Sequence, residues 1–201
     1  MDANGGCSLI IGQSYVHGEV FLEFYHTFGG SIRAKENGRG TKRPTIVWCV
    51  SGDAARKAAA ILSQAALVKK VQLQMVMNSP VPPESRARVG SRLSLLKRAP
   101  HVSASAQCSW PYFAGFFDAE GAVHVSAHSN VVQVKITQKF DDILSVLLDL
   151  FMTEWPGIGG ARIYRHADAS VLSFTQDEAS RFVLRKLVAV GLILKRPPRS
   201  P

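Results

Sequence analysis

Apolar and polar residues alternate over residues 8–13 and again over Val132–Gln138, the two-residue period of a half-buried strand. Each run is followed by apolar positions at helical spacing, Val20–Phe28 after the first and 143–152 after the second. A Gly-Gly pair closes each helix, Gly29-Gly30 and Gly159-Gly160, and a strand is predicted to start at once, with Ile32 and Ile163 at matching places. A second strand comes next, over Thr45–Ser51 or 171–175. Asp53 and Asp177 then stand where a helix begins, as N-caps or first-turn acids. Both series close on an apolar step into lysine, at Lys69 and Lys195. Residues 7–77 and 122–195 therefore spell one order of elements twice, about 125 residues apart, which is a duplicated domain and not a solenoid. Helices mixed with hairpin strands imply an α+β fold with antiparallel sheets.

Pro80, Pro82 and Pro83 interrupt regular structure after the first copy. A short basic helix over 86–98 and a loose polar stretch follow. The organisation read from this is a first half-domain over 1–77, a basic linker over 78–108 and a second half-domain over 109–201. With 46% hydrophobic and 19% charged residues the 201-residue chain is able to bury a core. No apolar run reaches the roughly 20 residues of a bilayer span, so no membrane partner is expected. The first residues also lack the order of a secretory signal. Cys7, Cys49 and Cys108 are too few and scattered for a disulfide framework or a cysteine-rich zinc site, and the six histidines form no zinc pattern.

Charge adds a partner. The formal net charge is +9, and it is uneven: fourteen Lys and Arg face six Asp and Glu in residues 1–100, but only ten face nine in 101–201. One cluster is Arg33, Lys35, Arg39, Lys42 and Arg43, on and between two strand-like runs; the other is Arg86, Arg88, Arg92, Lys97 and Arg98. A solvated face explains either cluster as it stands, but basic side chains along paired strands also suit a nucleic-acid groove.

The candidate chemistry lies in SWPYFAGFFDAEG, residues 109–121. Pro111 suits a first helical turn and Gly121 a helix end. Gly115 and Ala119 share one face, as do Ala114 and Asp118, and small residues there let a second helix come close. Phe113, Phe116 and Phe117 are expected to point into the half-domain's own core. Glu120 is out of place electrostatically, because an anion at a helix C-terminus costs about 0.3–1 kcal/mol unless a cation is near. A bound divalent metal supplies such a cation; a solvated acid at a helix end is the plainer alternative.

FAGFFDAEG resembles the LAGLIDADG motif of homing endonucleases and intron maturases: seven of its nine positions are identical or a standard variant. VKITQK (134–139), the Gly-Gly pair and LILK (192–195) resemble that family's downstream segments, as do LIIGQ, FGGSIR and VSGDAARKAAAIL in the first copy. The resemblance implies two pseudo-symmetric αββαββα half-domains forming a DNA-binding saddle. It implies a site-specific endonuclease that hydrolyses phosphodiester bonds with Mg2+ or Mn2+, and double-stranded DNA as partner. By resemblance Glu120 is the metal ligand and Asp118 is structural, while Gln138, Lys195, Gln13 and Lys69 take the places of polar and basic groups around the reaction centre. Each of these four also reads plainly as a solvated strand-end or helix-end residue. An organellar location is expected on the same ground alone.

The chain departs from the pattern in its first copy, which has no motif helix. DANG (2–5) aligns with the end of one, with Asn4 in place of the acid, and the short reach from there to Gln13 implies a missing strand. Asp142 stands where the family often has a basic residue. Three readings follow: a piece of a longer protein, pairing with a second copy through the 111–120 helix at Gly115 and Ala119, or loss of cleavage with binding kept, as in an intron-RNA maturase. On the strands, alternation predicts Val132, Val134 and Ile136 facing the core, with Gln133, Lys135 and Thr137 facing nucleic acid. His124 and Ser126 are expected beside them. Arg162 and Tyr164 are the expected counterparts of Ser31 and Arg33, with Lys35 also outward and Ile32 inward. Gln and Arg side chains read adenine and guanine edges, while loop cations touch phosphate.

Overall fold

The computed structural model describes residues 6–38, 43–79, 81–98, 102, 107–126, 128–193 and 195. They fall into two compact units, one within residues 1–101 and the other within 102–201. No described helix is long and apolar enough to cross a membrane.

The second unit runs α5 (Trp110–Glu120), β4 (Gly121–Val125), β5 (Val132–Gln138), α6 (Asp142–Glu154), β6 (Ala161–Arg165), β7 (Ser170–Phe174) and α7 (Asp177–Ala189). Its four strands form one antiparallel sheet in the order β4-β5-β7-β6. This is the αββαββα order that the resemblance implies, and the alternation along β5 has a direct cause. Val132, Val134 and Ile136 are buried against the helices together with Leu172 and Phe174. Phe113, Phe117, Leu144, Leu147, Phe151, Val183 and Leu187 come down on them from α5, α6 and α7, all fully buried. Phe151 lies edge-on to Phe174 at 5.0 Å and Trp155 edge-on to Phe182 at 5.3 Å. Phe116, by contrast, is only half-buried and stacks on Tyr112 along the helix surface.

The first unit runs β1 (Ser8–Ser14), α1 (Val20–Phe28), β2 (Ser31–Glu36), β3 (Thr45–Ser51), α2 (Gly52–Ala65), α3 (Lys70–Met77) and α4 (Arg86–Leu96). Its described strands form a three-stranded antiparallel sheet, β1-β3-β2. These three match β5, β7 and β6, and no described strand matches β4. Trp48, Val50 and Phe21 form the core with Ala55, Ala58 and Ala59, small residues that let α2 lie close to the sheet. The Trp48 indole donates to the Gly29 carbonyl at 2.8 Å. α3 is a helix that the hydrophobic pattern did not predict; it packs on α2 through Leu73 and Val76. The basic helix expected over 86–98 is α4, and its Leu96 carbonyl accepts from Gln72 of α3 at 3.3 Å.

The two Gly-Gly pairs have nearly the same backbone, φ 70° and 92° at Gly29 and Gly30 and 71° and 93° at Gly159 and Gly160. That left-handed pair turns the chain from helix to strand in both units, a conformation in which a side chain is strained. Gly121 ends α5 as expected, its N–H bonded to the Phe117 carbonyl. Its backbone is extended, φ −77° and ψ 159°, and it is already the first residue of β4. A Cβ there would overlap the Phe117 ring, so glycine is required by close packing. Asp53 and Asp177 lie in first turns, and the cap positions belong to Ser51 and Gln176. The Asp177 carboxylate instead binds Arg181 and the Val132 N–H, joining α7 to the start of β5.

Two predictions follow from this packing. Gly121→Ala is expected to destabilise the protein by about 1–3 kcal/mol through overpacking against Phe117, read as a lower urea midpoint at unchanged slope. The Glu154 carboxyl is held below its usual range by its hydrogen bond to the Lys186 ammonium and then by that from the Trp110 indole. A depressed carboxyl contributes stability above its unfolded pKa, near 4.5, that is lost as pH falls through the lower folded value. The melting temperature is therefore expected to drop on acidification below about pH 4.5, and less steeply in Glu154→Gln.

Candidate nucleic-acid interface and hydrolytic site

The segment after α7 is strapped onto the C-terminus of α5. The Asp118 carboxylate accepts the backbone N–H groups of Ile193 at 2.8 Å and of Lys195 at 3.0 Å. The Lys195 ammonium in turn donates to the Phe117 carbonyl at 2.7 Å and to the Gly121 carbonyl, and it lies 5.3 Å over the Phe117 ring. It thus gives the Phe117 carbonyl, which already accepts the Gly121 N–H, a second donor and places a positive charge at the negative end of the helix. The cation that Glu120 required is Lys195. Burial pushes the Lys195 ammonium below its usual range, against the opposing pull of the Asp118 and Glu120 carboxylates.

Glu120 itself ends α5, is exposed and accepts no hydrogen bond from a described residue. Gly121 pairs with Ile136, which sets Thr137 and Gln138 at the same end of the sheet as Glu120. Gln138 ends β5, half-buried opposite Ser170. Glu120 and Lys195 thus lie at the junction of α5 with β4, and Gln138 ends the strand beside it. In the first unit Gln13 sits near the end of β1 opposite Ile46, and its amide oxygen accepts the Ser14 N–H at 2.8 Å. Lys69 is exposed just before α3, where its carbonyl accepts the Leu73 N–H. Asn4 lies outside the described residues.

An exposed carboxylate with both oxygens uncommitted is a hard donor of the kind Mg2+ takes one or two of, completing its shell with water and phosphate oxygens. Among the described residues no group of three or more His, Cys, Asp or Glu is gathered.

Directly paired residues share a face of the sheet, so the register assigns the outer face of each unit. In the second unit one rung is Ala122–Lys135–Ser173–Arg162, with His124–Gln133 on one side and Thr137–Val171–Tyr164 on the other. Gln133 and Lys135 are half-buried and His124, Thr137, Arg162 and Tyr164 exposed. Ser126 is exposed, but its hydroxyl accepts the Ser129 N–H and so closes the β4–β5 turn. In the first unit the rungs are Ile10–Cys49–Ser31 and Gly12–Val47–Arg33. The register slips between Ala34 and Glu36, leaving Lys35 with no opposite residue and pairing Glu36 with Thr45. Lys35 is therefore exposed at an irregularity and not in the regular alternation. Arg43 is exposed; Arg39 and Lys42 lie outside the described residues. Gly115 and Ala119 are exposed on α5 while Ala114 and Asp118 are buried. Ser173, Val171, Ile10 and Cys49 complete these rungs without having been singled out from the sequence. Alternation on the central strands carried that signal, but strand pairing was needed to use it.

The folded chain is a two-unit α+β protein built on one repeated βαββα pattern. No family model matches the chain, and no curated protein is similar to it in sequence. Solved structures are similar in fold. LAGLIDADG homing endonuclease I-GzeII in complex with its DNA target matches with a TM-score of 0.61 at 16% identity, over 92% of this chain and 74% of that one. I-SmaMI bound to uncleaved DNA target in the presence of calcium ions also matches at 0.61, with 12% identity over 94% of this chain and 75% of that one. The fold is that of the LAGLIDADG homing endonucleases.

Because two backbone N–H groups depend on one buried carboxylate, Asp118→Asn is expected to cost about 2–4 kcal/mol and to release residues 190–195. Limited proteolysis should then cut near that segment well before global unfolding.

Proposed function

We propose that the protein is a site-specific DNA endonuclease of the homing type that hydrolyses phosphodiester bonds with a divalent cation, Mg2+ or Mn2+. The observation that carries this reading is the exposed, uncommitted Glu120 carboxylate at the end of α5, with Lys195 at the same junction and Gln138 at the end of the strand beside it. The fold likeness to DNA-bound homing endonucleases supports it.

In this reading Glu120 holds the cation, which supplies positive charge to the scissile phosphate and makes water more acidic. Lys195, held by the carbonyls of Phe117 and Gly121, adds positive potential where phosphate charge develops. Gln138 orients water through its amide. Gln13 and Lys69 take the corresponding places in the first unit. Gln133, Lys135, Thr137, His124, Arg162 and Tyr164 read base edges, and Arg33, Lys35, Arg39, Lys42 and Arg43 carry the salt-dependent affinity for phosphate. Gly115 and Ala119 offer the face on which a second motif helix, including that of a second copy, closes the site.

A second reading is favoured by Asn4, an amide where the alignment puts the other acid. It is a cleavage-deficient nucleic-acid-binding protein, such as an intron-RNA maturase.

Glu120→Gln is expected to lower Mg2+-dependent cleavage of a selected DNA site by at least about a hundredfold, while the dissociation constant for that site changes by less than about threefold. Cleavage unaffected by the substitution removes Glu120 from the chemistry. Tight binding of DNA or intron RNA with no hydrolysis in Mg2+ or Mn2+ selects the second reading.

A further inference from the structure

We propose that the outer face of the first unit recognises thymine by its methyl group, with Ile10 as the contacting side chain. This rests on the reading of the protein as a sequence-specific DNA-binding endonuclease.

The repeat makes the inference by comparison. Gln13 opposite Ile46 corresponds to Gln138 opposite Ser170, and from that anchor the registers align rung by rung. The rung Lys135–Ser173–Arg162 of the second unit becomes Ile10–Cys49–Ser31 in the first. Two cations, the natural partners of guanine O6 and N7, are replaced by an aliphatic side chain and a hydroxyl. Yet the first unit is the one with the larger basic surplus; Arg33 stands on the next rung of this face, and Lys35 and Arg43 are exposed near the ends of β2 and β3. A polyanion is drawn to a surface whose middle offers it no charge.

Local geometry singles out Ile10. It is 60% exposed, on a strand that pairs with β3 on one side and forms the edge of the described sheet on the other. Gly12, next along the same face of β1, has no side chain, and Ser8 on the other side has its hydroxyl bonded to that of Ser51 at 2.7 Å. Val47, in the rung beside it, is 3% exposed. Ile10 is thus the protruding apolar group of the face, with low neighbours that leave room for a base edge. The C5 methyl of thymine is the apolar group that a standard base pair presents in the major groove.

The test uses the full chain and a randomised DNA duplex pool. Selection is expected to yield a site with one or more fixed thymines in one half. Replacing those thymines by deoxyuridine, which removes only the methyl, should weaken binding about fourfold per contacted base. Ile10→Ala should lose that discrimination, binding the thymine and uracil sites equally, whereas Lys135→Ala should weaken binding and leave the discrimination in place. Ile10 is exposed, so Ile10→Ala should melt like the parent. A selected site that binds equally well with uracil overturns the proposal, as does a uracil penalty that persists in Ile10→Ala; either leaves the endonuclease reading intact. A pool in which no sequence is enriched overturns both.

Discussion

The second unit depends on a reciprocal clasp between Asp118 and Lys195. The buried carboxylate holds two backbone N–H groups of the segment after α7, and the lysine of that segment holds one carbonyl of α5 and one of β4, at their junction. Each side gains: the carboxylate would be costly to bury unpaired, and the ammonium sets a positive charge at the negative end of the helix. The consequence is local rigidity where Glu120 emerges. The acid is presented to solvent from a helix end that is fixed on both sides, by the clasp and by the close seating of Gly121 under Phe117.

That arrangement also explains why two acids two residues apart behave so differently. Asp118 points into the unit and is spent on structure. Glu120, a little more than half a turn further on, points out; it makes no hydrogen bond or ion-pair contact with a described residue and feels the Lys195 charge only through space. Placing Lys195 against the carbonyls resolves the unfavourable position of Glu120 without neutralising it. A carboxylate in that setting is able to take a hard cation, which is the property on which the proposed hydrolysis turns.

The two units share one strand pairing and differ on their outer faces. The Gly-Gly turn, the strand pairing and the apolar inner face are kept, since each is tied to backbone conformation or burial. The outer face has no such tie. There Lys135 and Arg162 stand opposite positions taken by Ile10 and Ser31, and the charge of the whole chain shifts to the first hundred residues.

Much was legible from the chain alone because it rests on local rules. Val132–Gln138 alternates because one face is buried, and Val20–Phe28 repeats at helical spacing for the same reason, so these elements were visible without neighbours. The motif resemblance likewise marked Glu120 and assigned Asp118 to structure. Other features needed the third dimension. α3 was missed because its eight residues carry too weak an apolar stripe to stand out before Leu73 and Val76 meet α2. The bulge at Lys35, the turn-closing role of Ser126 and the packing role of Gly121 depend on which strand or ring lies opposite. Above all, the cation beside Glu120 comes from a residue 75 positions away along the chain, and hydrogen bonds over such separations are set by packing, which no period in the sequence records.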